Sequence, residues 1–301
     1  MAVRWAMATW AIHLFGGGTL SLSGYGVLSM SETWWSVMGS LVASPNRRAS
    51  RSKLAADIWP DKDELAARRC LATTLWRYKT RMPGGASPIR PSGDFVMLCS
   101  DTRVWIDVLA FERRAAAAIA DPASLADASV RTRLARALAL YRDDYLREHE
   151  GEAIALERER LRALHLDATY ALAMAEATAA QWPAARTALQ RLVAAEPLRE
   201  DAQRLLMTAH IECGNQALAI QQFHGFAALL ADELGVEPMP ATLALAARIG
   251  AVRAGAPVPR DAADAAGLQA TMLRVRHDLA RTLRLVDRSL AMQKTRPSPP
   301  M

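Results

Sequence analysis

The chain has little of what secreted proteins and enzymes are built from. Its 301 residues hold three cysteines, Cys70, Cys99 and Cys213, far apart and in no pair motif. So sparse and odd a set excludes a disulfide scaffold and fits reduced thiols in a cytoplasmic protein. His13, His149, His165, His210, His224 and His277 are scattered, with no cysteine or carboxylate partner at metal-ligand spacing, so no metal is expected. There is no Gly-x-Ser-x-Gly, no phosphate-binding Gly-Lys-Ser/Thr and no convergent acid, base and nucleophile, which leaves no cofactor and no enzyme to expect. Glu148-His149-Glu150 looks like a solvated loop. Glu157-Arg158-Glu159-Arg160 looks like a charged helix face whose ion pairs contribute about a few tenths of a kcal/mol each. No apolar run reaches the roughly 20 residues that span a bilayer, so no membrane partner is expected. The start is not read as a secretion signal, because His13 interrupts its apolar stretch and Gly16-Gly17-Gly18 stands where a cleavage site would be needed.

What is present is positive charge in particular places. The net charge is +6, and residues 1–114 alone hold 15 Lys/Arg against 9 Asp/Glu. Residues 115–254 hold 14 basic and 18 acidic residues, and 255–301 hold 8 and 4. A localised basic domain suits a polyanion, since each neutralised phosphate releases counterions, although basic surfaces also serve solubility.

Along the chain, residues 8–30 alternate loosely through Ile12, Leu14, Leu20 and Leu22, as short strands joined by turns. Ser31 is placed to cap a helix over 32–43 with Trp34, Trp35, Val37, Met38, Leu41 and Val42 on its apolar face. Ser50 caps a short helix carrying Leu54 and Ile58, and Asp61 and Asp63 lead into a longer one over 64–82. Helix, short helix, tight turn and longer helix is a helix-turn-helix layout. Ile89-Arg90, a turn at Pro91-Ser92-Gly93 and Phe95 to Leu98 then form a hairpin, or wing, and Arg103 to Ile106 a further strand.

From about residue 108 the pattern is helical. Ala168, Leu172, Ala175, Ala185 and Leu189 recur 34 residues later as Ala202, Leu206, Ala209, Ala219 and Phe223. That period, with small residues where paired helices touch, is the tetratricopeptide signature. After Gly255-Ala256-Pro257-Val258-Pro259, a linker, Leu268, Met272, Val275, Leu279, Val286 and Leu290 predict one more amphipathic helix. It serves either as a short coiled coil or as a helix folded onto the repeats.

The 64–82 helix carries the chemistry. Leu71, Leu75, Tyr78 and Met82 share one stripe and should face the core. Arg69, Thr73 and Arg77 lie opposite, where Arg can bridge guanine and a Thr methyl can touch thymine in a major groove. Trp76 shares that side and either packs under a neighbouring element or lies against sugar. Arg68, Lys79 and Arg81 lie towards the flanks, suited to phosphates, which hold register without reading sequence. Arg47, Arg48, Arg51 and Lys53 surround the start of the short helix, whose free N–H groups favour phosphate, and Arg90 stands beside the wing.

Trp10 to Gly16, Ser50-Arg51-Ser52-Lys53-Leu54-Ala55 and Ile58-Trp59-Pro60-Asp61 resemble the winged helix of the Streptomyces antibiotic regulatory proteins. Residues 67–79 are similar to that family's recognition helix, with Tyr78 where leucine is usual. Trp105 to Glu112 looks like the junction into its bacterial transcriptional activator domain. Tyr141 to Leu146, Glu157 to Leu161, Pro197 to Ala202 and Glu233 to Pro238 fit that domain. The resemblance implies a mainly α chain with a small β component: a winged helix-turn-helix at 8–107, tetratricopeptide-like helical repeats at 108–251, and a linker plus helix at 252–301. It implies a cytoplasmic bacterial activator that binds repeated promoter sites on double-stranded DNA and contacts the sigma or alpha subunit of RNA polymerase. A homodimer through the repeats or the C-terminal helix is a further expectation. The alternative is a repeat-type protein adaptor whose winged helix no longer binds DNA.

Overall fold

The computed structural model describes residues 9–82, 87–99 and 103–251, so the linker and helix expected at 252–301 lie outside the described residues. The chain divides into two compact units, Met1–Ala175 and Glu176–Met301. In chain order the first runs β1 (Thr9–His13), β2 (Thr19–Leu22), β3 (Gly26–Leu28), α1 (Glu32–Ala43), β4 (Arg48–Ser50), α2 (Arg51–Ile58), α3 (Glu64–Arg81), β5 (Ile89–Ser92), β6 (Phe95–Leu98), β7 (Arg103–Ile106), α4 (Asp107–Ala120) and α5 (Ala128–Leu138). The boundary between the units falls inside α6 (Glu152–Thr178), so the first unit takes in helices on both sides of residue 107. The second continues with α7 (Trp182–Ala195), α8 (Glu200–Glu212), α9 (Gln216–Leu234) and α10 (Pro240–Arg248).

Period-2 alternation builds the N-terminal sheet. Trp10, Ile12, Leu14, Leu20 and Leu22 are all buried on one face. The strand order is β3-β2-β1-β7, with β1 parallel to β7 and Ile12 opposite Ile106. Gly18 turns the chain at φ +85 and lies against the Trp35 ring, 2.8 Å from where a Cβ would sit, so only glycine fits. α1 starts at Ser31, whose Oγ accepts from Trp34 N–H, and all six of its expected apolar residues are buried.

A second sheet, β4-β6-β5, forms the wing. Two details differ from the sequence reading. Arg48–Ser50 is a strand paired with Phe95–Met97, although three residues are too few to show a period. The hairpin turn is Gly93-Asp94, since Ser92 still pairs with Phe95. Gly93 alone takes a positive φ, as the first position of a II′ turn requires.

The carboxylate of Asp107, 2% exposed, joins the N-terminal sheet to the helical part of the unit. It accepts from Leu14 N at 2.9 Å, Phe15 N at 3.2 Å and Val108 N at 2.7 Å. Burial outweighs those three donors and pushes its pKa above the usual carboxylate range. Tyr145 Oη donates to Gly39 O of α1 at 2.9 Å, and a Cβ on Gly39 would meet Leu146 Cδ1 at 2.5 Å. The missing side chain lets this segment close onto α1.

Two sequence expectations are corrected by the same contacts. The Glu148-His149-Glu150 segment is not wholly solvated: His149 is buried, and neither ring nitrogen has a hydrogen-bond partner among the described residues. Nor is Glu157 to Arg160 a plain charged face. Glu157 is buried and pairs with Arg160, and Arg158 donates to the carbonyls of Tyr145, Leu146 and His149 at 2.8–2.9 Å. Non-local carbonyls that need donors draw Arg158 inward, and Arg160 satisfies the buried Glu157, which helical spacing alone does not reveal.

The 34-residue period is visible as repeated geometry. Ala168, Leu172, Ala185, Leu189, Ala202, Leu206, Ala209, Ala219 and Phe223 are buried, and Ala175 partly so. Ala180 and Gly214, one period apart, both take left-handed φ values of 57° and 75°. Gln181 N–H donates to Glu176 O, and Asn215 N–H to His210 O, each at 2.8 Å. Two helix ends with the same backbone bonds at the same register are a structural repeat. Gln203, buried between α8 and α9, is satisfied at both ends by Pro197 O and Gln222.

Candidate nucleic-acid interface

α2 and α3 form the helix-turn-helix. Asp63 Oδ1 accepts from Ala66 N–H at 2.8 Å, fixing where α3 begins after the tight turn. Ala67, Leu71, Tyr78 and Met82 are buried and Leu75 is half-buried, so one stripe of α3 anchors it. Tyr78 finds a partner for its hydroxyl in Ser31, the residue that caps α1, meeting Ser31 Oγ and accepting from Ser31 N at 3.3 Å. The helix is thereby tied at a polar point as well as by packing.

The opposite stripe is open. Arg69, Thr73, Trp76 and Arg77 are all exposed, the Trp76 indole by 67%. Trp76 also lines a cleft of about 200 Å³ with Trp34, Arg51, Tyr78, Lys79 and Pro91, between α3 and the wing. Thr80 Oγ1 donates back to Arg77 O at 2.9 Å. Lys79 and Arg81 are exposed in the last turn, where the helix dipole favours cations.

The other predicted cations divide. Arg48 is exposed with its guanidinium 3.6 Å above the Phe95 ring, and Lys53 is exposed on the first turn of α2. Arg90 is exposed on β5, opposite Met97. Arg68 is half-committed: it lies 3.4 Å from Ser52 Oγ, 3.5 Å from Asp94 and 3.8 Å from Glu64. Arg51 is half-buried at the mouth of the cleft, with its Nε enclosed and unpartnered among the described residues. Arg47 faces inward, donating to Val42 O and pairing with Glu112, and does not join the exposed set. The free N–H groups expected at the start of α2 are largely taken. Arg51 N donates to Asp94 O at 2.8 Å and Lys53 N to Ser50 Oγ at 3.2 Å.

Similarity to known proteins follows these two parts. The bacterial transcriptional activator domain matches residues 106–250. Regulatory protein AfsR of Streptomyces griseus is 28% identical over 216 residues, 71% of this chain and 22% of that protein. Regulatory protein AfsR of Streptomyces coelicolor is 48% identical over 61 residues, 20% of this chain and 6% of that protein. Residues 106–250 thus carry the bacterial transcriptional activator domain, and 71% of the chain is similar to a Streptomyces regulatory protein. The fold of this chain is shared with Mycobacterium tuberculosis EmbR, solved in complex with a low-affinity phosphopeptide, at a TM-score of 0.67 and 21% identity. That match covers 89% of this chain and 71% of the other. The chain thus spans about a fifth of the length of the Streptomyces griseus relative.

Sequence reasoning missed two residues that organise the interface. Asp94, in the wing turn, holds both the first N–H of α2 and the Arg68 guanidinium. A Gly-Asp turn was the available signal. Glu112 on α4 holds Arg47 from 65 positions away, and nothing local announces that. Among the described residues no three His, Cys, Asp or Glu side chains are placed to hold a metal ion. No helix there is long and apolar enough to cross a membrane.

Proposed function

We propose that this regulator is a sequence-specific activator that seats α3 in the major groove of promoter DNA. The observation that carries the reading is the open stripe of α3. Arg69, Thr73, Trp76 and Arg77 are exposed, while the opposite stripe is buried. Arg69 and Arg77 supply bidentate donors for guanine, and the Thr73 methyl suits thymine. Arg48, Lys53, Lys79, Arg81 and Arg90 ring that stripe as phosphate contacts, with Arg51 and Arg68 behind them. Such work is done in the cytoplasm. The activator domain is the surface offered to the sigma or alpha subunit of RNA polymerase, and to a second copy on a repeated site.

The test is recovery of genomic fragments by the purified protein at near-physiological salt, followed by sequencing, beside an Arg69→Ala/Arg77→Ala variant. Wild type enriches fragments that share a repeated motif and the variant does not. Enrichment by neither protein above a shuffled control overturns the reading and points to protein partners instead.

A further inference from the structure

Arg47 occupies an unusual place. It and Asn46 both take left-handed backbone angles, φ 54° and 52°, immediately before β4. Asn tolerates that region and Arg does not, so something must hold it. Its guanidinium does so by donating to Val42 O and to Glu112 Oε2. Glu112 is in turn held through Oε1 by Arg160 of α6 at 2.7 Å, and Arg160 also grips the buried Glu157 with two bonds of 2.7 and 2.8 Å. The Arg47 and Glu112 side chains are 27% and 23% exposed, sheltered enough that salt screens the pair only partly.

The consequences of breaking this chain are one-sided. Without the Glu112 charge, Arg160 keeps Glu157, whereas Arg47 loses the only carboxylate it touches among the described residues. The left-handed bend is then left to one carbonyl. The residues next in line are Arg48 over Phe95, Ser50 capping α2, and the exposed Lys53.

We infer that Arg47 is a positioning residue. Held by Glu112 and Arg160, it fixes the bend that aims β4 and the start of α2 at the DNA backbone. A movement of α6 against α4 therefore reaches the phosphate-facing segment. This rests on the DNA-binding reading above, and it assigns Arg47 a role without contact to DNA.

Glu112→Gln tests it on the full chain. Binding to a short random-sequence duplex is followed through a salt titration, with hydrogen exchange of the 46–53 segment measured without DNA. Loss of an acidic charge alone strengthens DNA binding. Loss of the bend instead weakens it about tenfold and lowers the salt slope by about one phosphate contact. Exchange across 46–53 rises. Glycine adopts the left-handed region unaided, so Arg47→Gly in the Glu112→Gln background restores affinity to within about threefold of wild type, which a general loss of stability would not allow. Glu112→Gln binding as tightly as wild type, or no rescue by Arg47→Gly, overturns the inference. Failure of wild type to bind sinks the DNA reading and the positioning role with it. A changed exchange pattern would still separate that from a bend Glu112 does not hold.

Discussion

The two units meet the same packing demand by different means. The first buries large aromatics, Trp10, Trp34, Phe111 and Tyr145, and carries charge through its interior. Asp107 reaches Leu14 across 93 residues of chain, and Tyr145 reaches Gly39 across 106. The second buries Met207, Ala219, Ala227 and Ala246 in one cluster with Phe223. It repeats a backbone bond five residues long at two helix ends, and its side-chain tie from Thr242 to Glu200 spans 42 residues. A structure closed by few long-range polar bonds is specific and fragile, because each bond removed strands buried groups. One closed by repeated local contacts spreads its stability over many small terms.

The largest expected effect breaks the first unit alone. Asp107→Ala leaves three N–H donors unpaired at a buried site, and at about 1–3 kcal/mol per stranded group the loss is about 3 kcal/mol or more. Hydrogen exchange should show β1 and α1 opening while α8 and α9 keep their protection. Equal loss of protection in both units would mean that the division by contacts is not a division in energy.

Next comes a response to pH that both units share. His149 in the first and His210 in the second are buried, and burial holds each imidazole below the ordinary histidine range. As pH falls, the unfolded chain therefore takes up these protons first. Each histidine's contribution is complete above about pH 6.5 and is lost as pH falls toward the depressed folded value. Lowering the pH from about 7.5 to about 5.5 should lower the stability of each unit. His149→Leu should flatten the response of β1 and α1 amides and leave that of α8 unchanged. A response of α8 that disappears with His149 would tie the two units more closely than their contacts do.

How much of this was legible in the sequence follows the same contrast. The repeat could be read because its signal is a period: Ala168 to Phe223 announce it by spacing, and all of the paired positions are buried except Ala175, which is partly so. The strands, caps and helices of the winged helix were legible for the same local reason, through Ser31, Ser50 and Asp63. The polar ties were not. Arg158 looks like solvated helix charge until the carbonyls of Tyr145 and Leu146 arrive from elsewhere. At the interface, spacing on one helix was enough to place Arg69, Thr73 and Arg77 on an open stripe. It was insufficient for Arg47, whose partner lies on another element and whose backbone angle no pattern displays.

The smallest effect tests the repeat at its finest detail. Ala180 and Gly214 stand at equivalent helix ends, both left-handed, yet only one is glycine. An alanine there costs about 1–2 kcal/mol in backbone strain, and a glycine gives back roughly 0.4–1 kcal/mol through the entropy of the unfolded chain. Ala180→Gly should therefore raise stability by about 0.5–1 kcal/mol, and Gly214→Ala should lower it by a similar amount, read as opposite shifts in urea midpoint at unchanged slope. A Cβ at Gly214 meets nothing within 4 Å, so the comparison isolates the backbone term from packing. If both substitutions destabilise, the two turns are alike only in angle, and Ala180 is held by a contact that its counterpart lacks.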